Sequence, residues 1–254
     1  MSHGGVKLRK SHSILYVVVV PFFVSGVVAC SSGSDSGASD GEGSAALNFR
    51  PVRIDVDSDN DGSIDATFNM IYDAQGLMTA ELIDADIDGD FDTEIIFDYE
   101  DGNVVSATVD NDRDGTINSF SRLSYDGNGI LLAETTQETL NGPLTSRIDY
   151  LQNTSGVLTG ANFDTDANGS VDEVATYRFN SSGTVEEIEF DTDFDNITDI
   201  FIQFTYDQFG GAATRTRRLA DNSVTSVWAY VYEEGPCDPV SERQPRIVTC
   251  VSRP

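Results

Sequence analysis

A period of about 27 residues constrains this chain more than any other feature, and its aspartates carry it. Acidic segments begin at Asp57 (DSDNDGSID), Asp84 (DADIDGDFD), Asp110 (DNDRDGTIN), Asp164 (DTDANGSVD) and Asp191 (DTDFDNITD), at spacings of 27, 26, 54 and 27. The spacing of 54 is two periods. QETLNGPLT at 137–145 fills the gap, keeping Asn141-Gly142 but not the ligating carboxylates. A further eroded copy, RLADNSVTS, begins at Arg218, so seven units occupy 57–235.

A second signature follows about fifteen residues into the units: YDAQG (72–76), YEDG (99–102), YDGNG (125–129), FNSSG (179–183) and YDQFG (206–210). The fourth unit has YLQNTSG (150–156) instead. An aromatic residue, then Asp or Asn, then Gly is hairpin-turn chemistry, with Gly supplying the positive φ. Between acidic segment and turn the apolar residues alternate: Phe68, Met70 and Tyr72; Ile95, Phe97 and Tyr99; Ile202, Phe204 and Tyr206. A period of two predicts half-buried strands, and no segment holds a helical period. The expected fold is all-β: a meander of about seven 27-residue antiparallel hairpins, curled or forming an open barrel to protect its edges. A β-propeller is the alternative, but it uses about four strands per blade and each unit here supplies two. In such a meander every acidic loop lies on one edge and every turn on the other.

The chain's ends have a different character. Lys7–Lys10 precedes the apolar run ILYVVVVPFFV at 14–24, which Pro21 interrupts and which is short of the roughly 20 residues of a span, so 1–29 reads as an export signal. Val27-Val28-Ala29-Cys30 resembles the bacterial lipobox. That resemblance implies cleavage before Cys30, acylation of its thiol and, with Ser31 and Ser32 following, an outer-membrane lipoprotein of the bacterial envelope. A plain membrane anchor or an uncleaved signal is the other reading. Residues 30–46, rich in Ser and Gly, form a tether to a repeat domain at 47–235. With Cys30 assigned to lipid, Cys237 and Cys250 remain. In an exported chain they predict one disulfide closing a cap over 236–254.

The acidic loops match the front half of a calcium loop, with oxygen ligands at positions 1, 3 and 5, a Gly at 6 and a main-chain carbonyl at 7. Alternate residues of a tight turn aim their carboxylates at one centre, and calcium takes about 6–8 oxygens in loose geometry. Positions 1, 3 and 5 are Asp57, Asp59, Asp61; Asp84, Asp86, Asp88; Asp110, Asp112, Asp114; Asp164, Asp166, Asn168; and Asp191, Asp193, Asp195. Gly62, Gly89, Gly115 and Gly169 stand at 6, with Asn196 in the last loop. The carbonyls at 7 belong to Ser63, Asp90, Thr116, Ser170 and Ile197. The EF-hand pattern stops at position 12, where Phe68, Ile95, Ser121, Ala175 and Ile202 replace its bidentate Glu. Position 9 offers Asp65, Asp92, Asn118, Asp172 and Asp199 instead.

DxDxDGxxD with the last acid at 9 resembles the calcium loops of integrin-type FG-GAP blades, where a loop joins strands. The YDxxG turn half is similar to the YD (Rhs-type) repeats of bacterial surface and toxin-shell proteins. Calcium, about five ions, is the implied cofactor, and the loops near 137 and 218 are expected to bind none. Apolar residues bracket each loop: Val56, Ile83, Val109, Phe163 and Phe190 before it, and Ile64, Phe91, Ile117 and Val171 at position 8. They are expected to pin the loop to the core while its acids face outward.

Composition narrows the function. The chain carries 15 Lys+Arg, 43 Asp+Glu and a net charge of -28. Without the first 29 residues, which hold three basic and no acidic residues, 12 basic face 43 acidic, or -31. Nucleic acid and anionic membrane are excluded as charge-driven partners. Both histidines, His3 and His12, lie in the export segment, which removes Ser-His-Asp catalysis and His-ligated zinc. The chain is therefore expected to be a non-enzyme, a carboxylate-pair hydrolase staying open as a remote alternative. The leading reading is a calcium-stabilised, lipid-anchored envelope protein with a structural or adhesive role. The second is a glycan- or peptide-binding module using Trp228, Tyr230 and Tyr232, whose alternation suits a core-packed last strand equally well.

Overall fold

The computed structural model describes residues 47–235 and 251–253. Cys30, Cys237 and Cys250, with the lipidation and disulfide expected of them, lie outside the described residues. The described chain is entirely β. Its strands are β1 (Leu47–Asp57), β2 (Ala66–Tyr72), β3 (Met78–Asp84), β4 (Thr93–Glu100), β5 (Asn103–Asp110), β6 (Ser119–Tyr125) and β7 (Leu131–Gln137). There follow β8 (Leu144–Gln152), β9 (Leu158–Asp164), β10 (Glu173–Phe179), β11 (Val185–Asp191), β12 (Ile200–Tyr206), β13 (Ala212–Leu219), β14 (Val224–Glu234) and β15 (Val251–Arg253).

Each strand from β1 to β13 pairs antiparallel with the next, and β14 pairs with β1 from Phe49↔Glu234 to Asp57↔Val227. The meander is thus a closed 14-stranded barrel with no free edge along its seam. Closure comes from a strand outside the repeat count. The seventh unit supplies only β14 after its loop, and β1, which precedes the first acidic loop, stands where that unit's second strand would be. β15 lies against the first residues of β1, pairing Phe49 with Val251.

The alternation places one residue in two inside the ring. Phe68, Met70, Ile95, Phe97, Ile202 and Phe204 are all buried, while Tyr72, Tyr99 and Tyr206 are half-buried at the strand ends. The interior forms two apolar clusters, one built on β1–β5 and β14, the other on β6–β12. The ring is filled rather than hollow. Trp228 is part of this core, 5.0 Å from Phe68 between ring centroids and under the buried guanidinium of Arg215. The outer wall carries charge: Arg53 pairs with Asp55, Arg147 with Asp149, Arg178 with Glu189 and Arg218 with Glu187. A membrane-spanning barrel has the reverse polarity, with an apolar outward band.

Acidic loops follow β1, β3, β5, β9 and β11, and the eroded ones follow β7 and β13, so all seven share one rim. The YD-type turns share the other. In the first turn Asp73 Oδ1 accepts the amides of Gln75 and Leu77, both at 2.9 Å, and Gly76 takes φ +88°. A one-residue register shift falls just before the aromatic of five hairpins, as at Asp98/Tyr99 and Ser124/Tyr125, and at Leu151/Gln152 in the fourth.

Candidate metal centres

Each acidic loop leaves one strand and enters the next, so its neck is a ladder bond. The position-9 amides of Asp65, Asp92, Asn118, Asp172 and Asp199 donate to the carbonyls of Val56, Ile83, Val109, Phe163 and Phe190, each at 2.8 Å. Inside the neck the side chains fold the loop on themselves. The position-6 amide donates to the position-1 carboxylate: Gly62 to Asp57 at 2.8 Å, Gly89 to Asp84 at 3.1 Å, Gly115 to Asp110 at 2.8 Å, Gly169 to Asp164 and Asn196 to Asp191 at 2.7 Å. The position-7 amide donates to Oδ1 of position 5, as from Ser63 to Asp61 at 2.8 Å and from Asp90 to Asp88 at 2.9 Å. The position-9 side chain accepts the position-2 amide, as Asp65 does from Ser58 at 2.7 Å and Asn118 from Asn111 at 2.6 Å.

Two residues per loop are left-handed. Position 6 was legible from its glycines, with φ of +94° at Gly89. Position 4 was not: Asn60, Ile87, Arg113, Ala167 and Phe194 have φ between +51° and +60°. Asn60 alone favours the conformation; Ile87, Arg113, Ala167 and Phe194 do not signal it, and there the loop's hydrogen bonds impose it against side-chain preference.

The result is convergence. Asp57, Asp59 and Asp61 bring carboxylate oxygens within 4.8 Å of one another, as do Asp110, Asp112 and Asp114. In the other three loops position 9 takes the place of position 5: Asp84, Asp86 and Asp92; Asp164, Asp166 and Asp172; Asp191, Asp193 and Asp199. Asp88 and Asp195 stand outside these groups, as does Asp65 in the first loop, although they share the loops. The hydroxyl of Ser58, followed by its amide, holds the Asp65 carboxyl below the usual range, and Thr165 and Thr192 do the same for Asp172 and Asp199. Asp193 is raised by desolvation first and by Asp195, Asp199 and Asp191 next. Asp65, Asp172 and Asp199 are thereby favoured as anions, the form a cation requires.

Two expectations about the loops need correction. The acids do not all face outward, because Asp84 and Asp110 are 7% and 8% exposed. In each, one oxygen accepts the position-6 amide and the other, Oδ1, is buried without a partner. The residues at position 8 do not all pin the loop: Phe91 and Val171 are half-buried, whereas Ile64 and Ile117 are exposed. The neck bond already fixes the loop, so a second apolar anchor is not required. Position 12 could not hold an EF-hand glutamate here, because Phe68, Ile95, Ser121, Ala175 and Ile202 all point into the core.

Two acids that the loop pattern did not single out lie inside the barrel. Glu81 is fully buried with both carboxylate oxygens unpartnered, and burial pushes its carboxyl well above the ordinary range. Glu134 is pushed up to about 7 by burial, against which Ser121 and Tyr150 act more weakly.

No protein-family model and no curated protein match the chain. Among solved structures it is similar to a porin-like protein from Bacteroides uniformis, with a TM-score of 0.45 and 12% identity over 72% of this chain and 98% of that one. A porin-like protein from Bacteroides vulgatus gives a TM-score of 0.39 at 12% identity, covering 74% and 98%. The Tc holotoxin pore of Photorhabdus luminescens gives 0.28 at 14% identity, covering 72% of this chain and 10% of the toxin chain. Likeness at this level bears on neither family nor function.

Proposed function

We propose that the chain is a calcium-binding, lipid-anchored protein of the bacterial cell envelope, with a structural or adhesive role in which about five ions stiffen one rim of the barrel. The observation that carries the reading is the buried, unpartnered Oδ1 of Asp84 and of Asp110 within converging carboxylates. Carboxylates about 4 Å apart repel by on the order of 1 kcal/mol per pair even in water, and more where water is excluded. A buried acceptor without a donor adds its own desolvation cost. A hard divalent cation removes both penalties at once, and short Asp side chains with main-chain carbonyls suit calcium.

The topology supports the anchored part of the reading. β1 runs from the turn rim to the acidic rim, so Leu47, the first described residue, lies at the turn rim. A lipid on Cys30 would leave the acidic rim free to face away from the membrane. The glycan-binding alternative loses its main platform, since Trp228 belongs to the core. The test is thermal melting of the full chain with excess calcium and with chelator. Calcium is expected to raise the midpoint by mass action, and coincident curves would sink the reading.

A further inference from the structure

We infer that the five loops fall into two affinity classes: 84–92 and 110–118 form a tight, adjacent pair, and 57–65, 164–172 and 191–199 form a weak set. The inference rests on the calcium reading above and adds an order of filling to it. The distinction lies in the second oxygen of position 1. In the weak set that oxygen is already engaged: Oδ1 of Asp57 accepts the Asp61 amide at 3.1 Å, that of Asp164 the Asn168 amide at 3.0 Å, and that of Asp191 the Asp195 amide at 3.1 Å. An ion there has to share or displace a formed hydrogen bond, and Asp57, Asp164 and Asp191 are only half-buried. In the tight pair Oδ1 of Asp84 and of Asp110 is buried without a protein donor, so an ion supplies its first partner. The desolvation of these ligands has occurred in folding and is not charged again to binding.

Cross-strand neighbours act in the same direction. Directly opposite Asp110 in the β4–β5 ladder stands Glu94, a nearby negative charge that favours a cation there by Coulomb attraction. Opposite Asp164 in the β8–β9 ladder stands Arg147, which is paired with Asp149 and whose positive charge also reaches Asp164, opposing a cation there. The two tight loops are also joined. Thr93, next to the ligand Asp92, donates its hydroxyl to the carbonyl of Asn111 at 3.2 Å, and Arg113 lies 5.8 Å from the Phe91 ring centroid. The corresponding residue after position 9 in the first loop is Ala66, which has no hydroxyl to offer.

The test is equilibrium dialysis of the full chain, held in detergent, against calcium chloride. Two ions are expected to bind tighter than the remaining three by about tenfold or more. Asp84→Asn and Asp110→Asn each remove one ion from the tight class. Asp86→Asn and Asp112→Asn, exposed ligands of the same loops, weaken the same class without burying a new group. Asp57→Asn and Asp191→Asn each remove one ion from the weak class. A single class of five sites, or loss of a tight ion in Asp57→Asn, overturns the inference while leaving the calcium reading intact. Absence of bound calcium in the unaltered chain overturns both.

Discussion

The phenol of Tyr99 donates to the main-chain carbonyl of Met78 at 2.7 Å, across 21 residues of sequence and between two neighbouring repeat units. The bond lies where the sheet needs it. Within a unit the strands pair along their length, β4 with β5 from Glu94 to Glu100. Between units the ladder is short: β3 and β4 pair only from Ala80↔Ile96 to Ile83↔Thr93, at the acidic half. Tyr99 spans the open half, and Tyr72 to Pro51, Tyr125 to Val104 and Tyr206 to Val185 repeat the stitch. Gln152 makes it to Leu131 in the fourth unit, where the aromatic is displaced. Where the aromatic of the turn signature is a tyrosine its hydroxyl makes this bond, a role that the turn chemistry alone does not predict; Phe179 in the fifth unit has no hydroxyl to make it.

Tyr99→Phe keeps the ring and removes the stitch, leaving the Met78 carbonyl without that donor. The expected loss is about 1 kcal/mol in denaturant unfolding, with the m-value unchanged. A variant as stable as the parent would show that the hydroxyl contributes nothing to the seam.

Glu134→Gln tests the buried acid. Its carboxyl is raised from 4.5 to about 7 in the folded chain, so below 4.5 both folded and unfolded states hold the proton and the acid costs nothing. As pH rises from 4.5 to about 7 the unfolded state ionises first, and stability is lost across that window. The variant should therefore match the parent near pH 4.5 and exceed it by about 3 kcal/mol above pH 7. Unfolding free energies measured across this window, in chelator to remove any contribution from the loops, check the sign.

The two left-handed positions of the second loop predict opposite effects. Ile87 is β-branched, exposed and held at φ +60°, so Ile87→Asn should stabilise the calcium-free chain by about 1 kcal/mol. Gly89 at φ +94° has open space around it, so Gly89→Ala suffers from backbone strain alone and should cost about 1 kcal/mol. Melting of both variants beside the parent decides whether conformation rather than packing governs the loop.

Gly160 marks a close approach of β9 to β10. A Cβ there would lie 2.4 Å from the carbonyl oxygen of Ala175, which as backbone cannot move aside cheaply. Gly160→Ala is expected to destabilise by about 1–3 kcal/mol, read as a lower denaturant midpoint.

What the sequence determined by itself is whatever depends on local spacing. The alternation of Phe68, Met70 and Tyr72 assigns a strand and its inward face, because side chains of a strand point to opposite sides with period two. The loop register brings the carboxylates of positions 1, 3, 5 and 9 into one tight turn, whereas the structure decides loop by loop whether 5 or 9 joins 1 and 3. What only the tertiary structure decided depends on which strand comes to lie beside which. β1 lies outside the period and closes the ring because β14 arrives next to it, fixing the barrel that spacing left open or curled. Burial of Asp84 and Asp110 but not Asp57, the pairing of Glu94 with Asp110 and of Arg147 with Asp164, and the place of Trp228 in the core follow from those neighbours. Repeats that look alike in one dimension thus become different sites in three, because desolvation and cross-strand charge belong to the environment of a residue rather than to its position in the period.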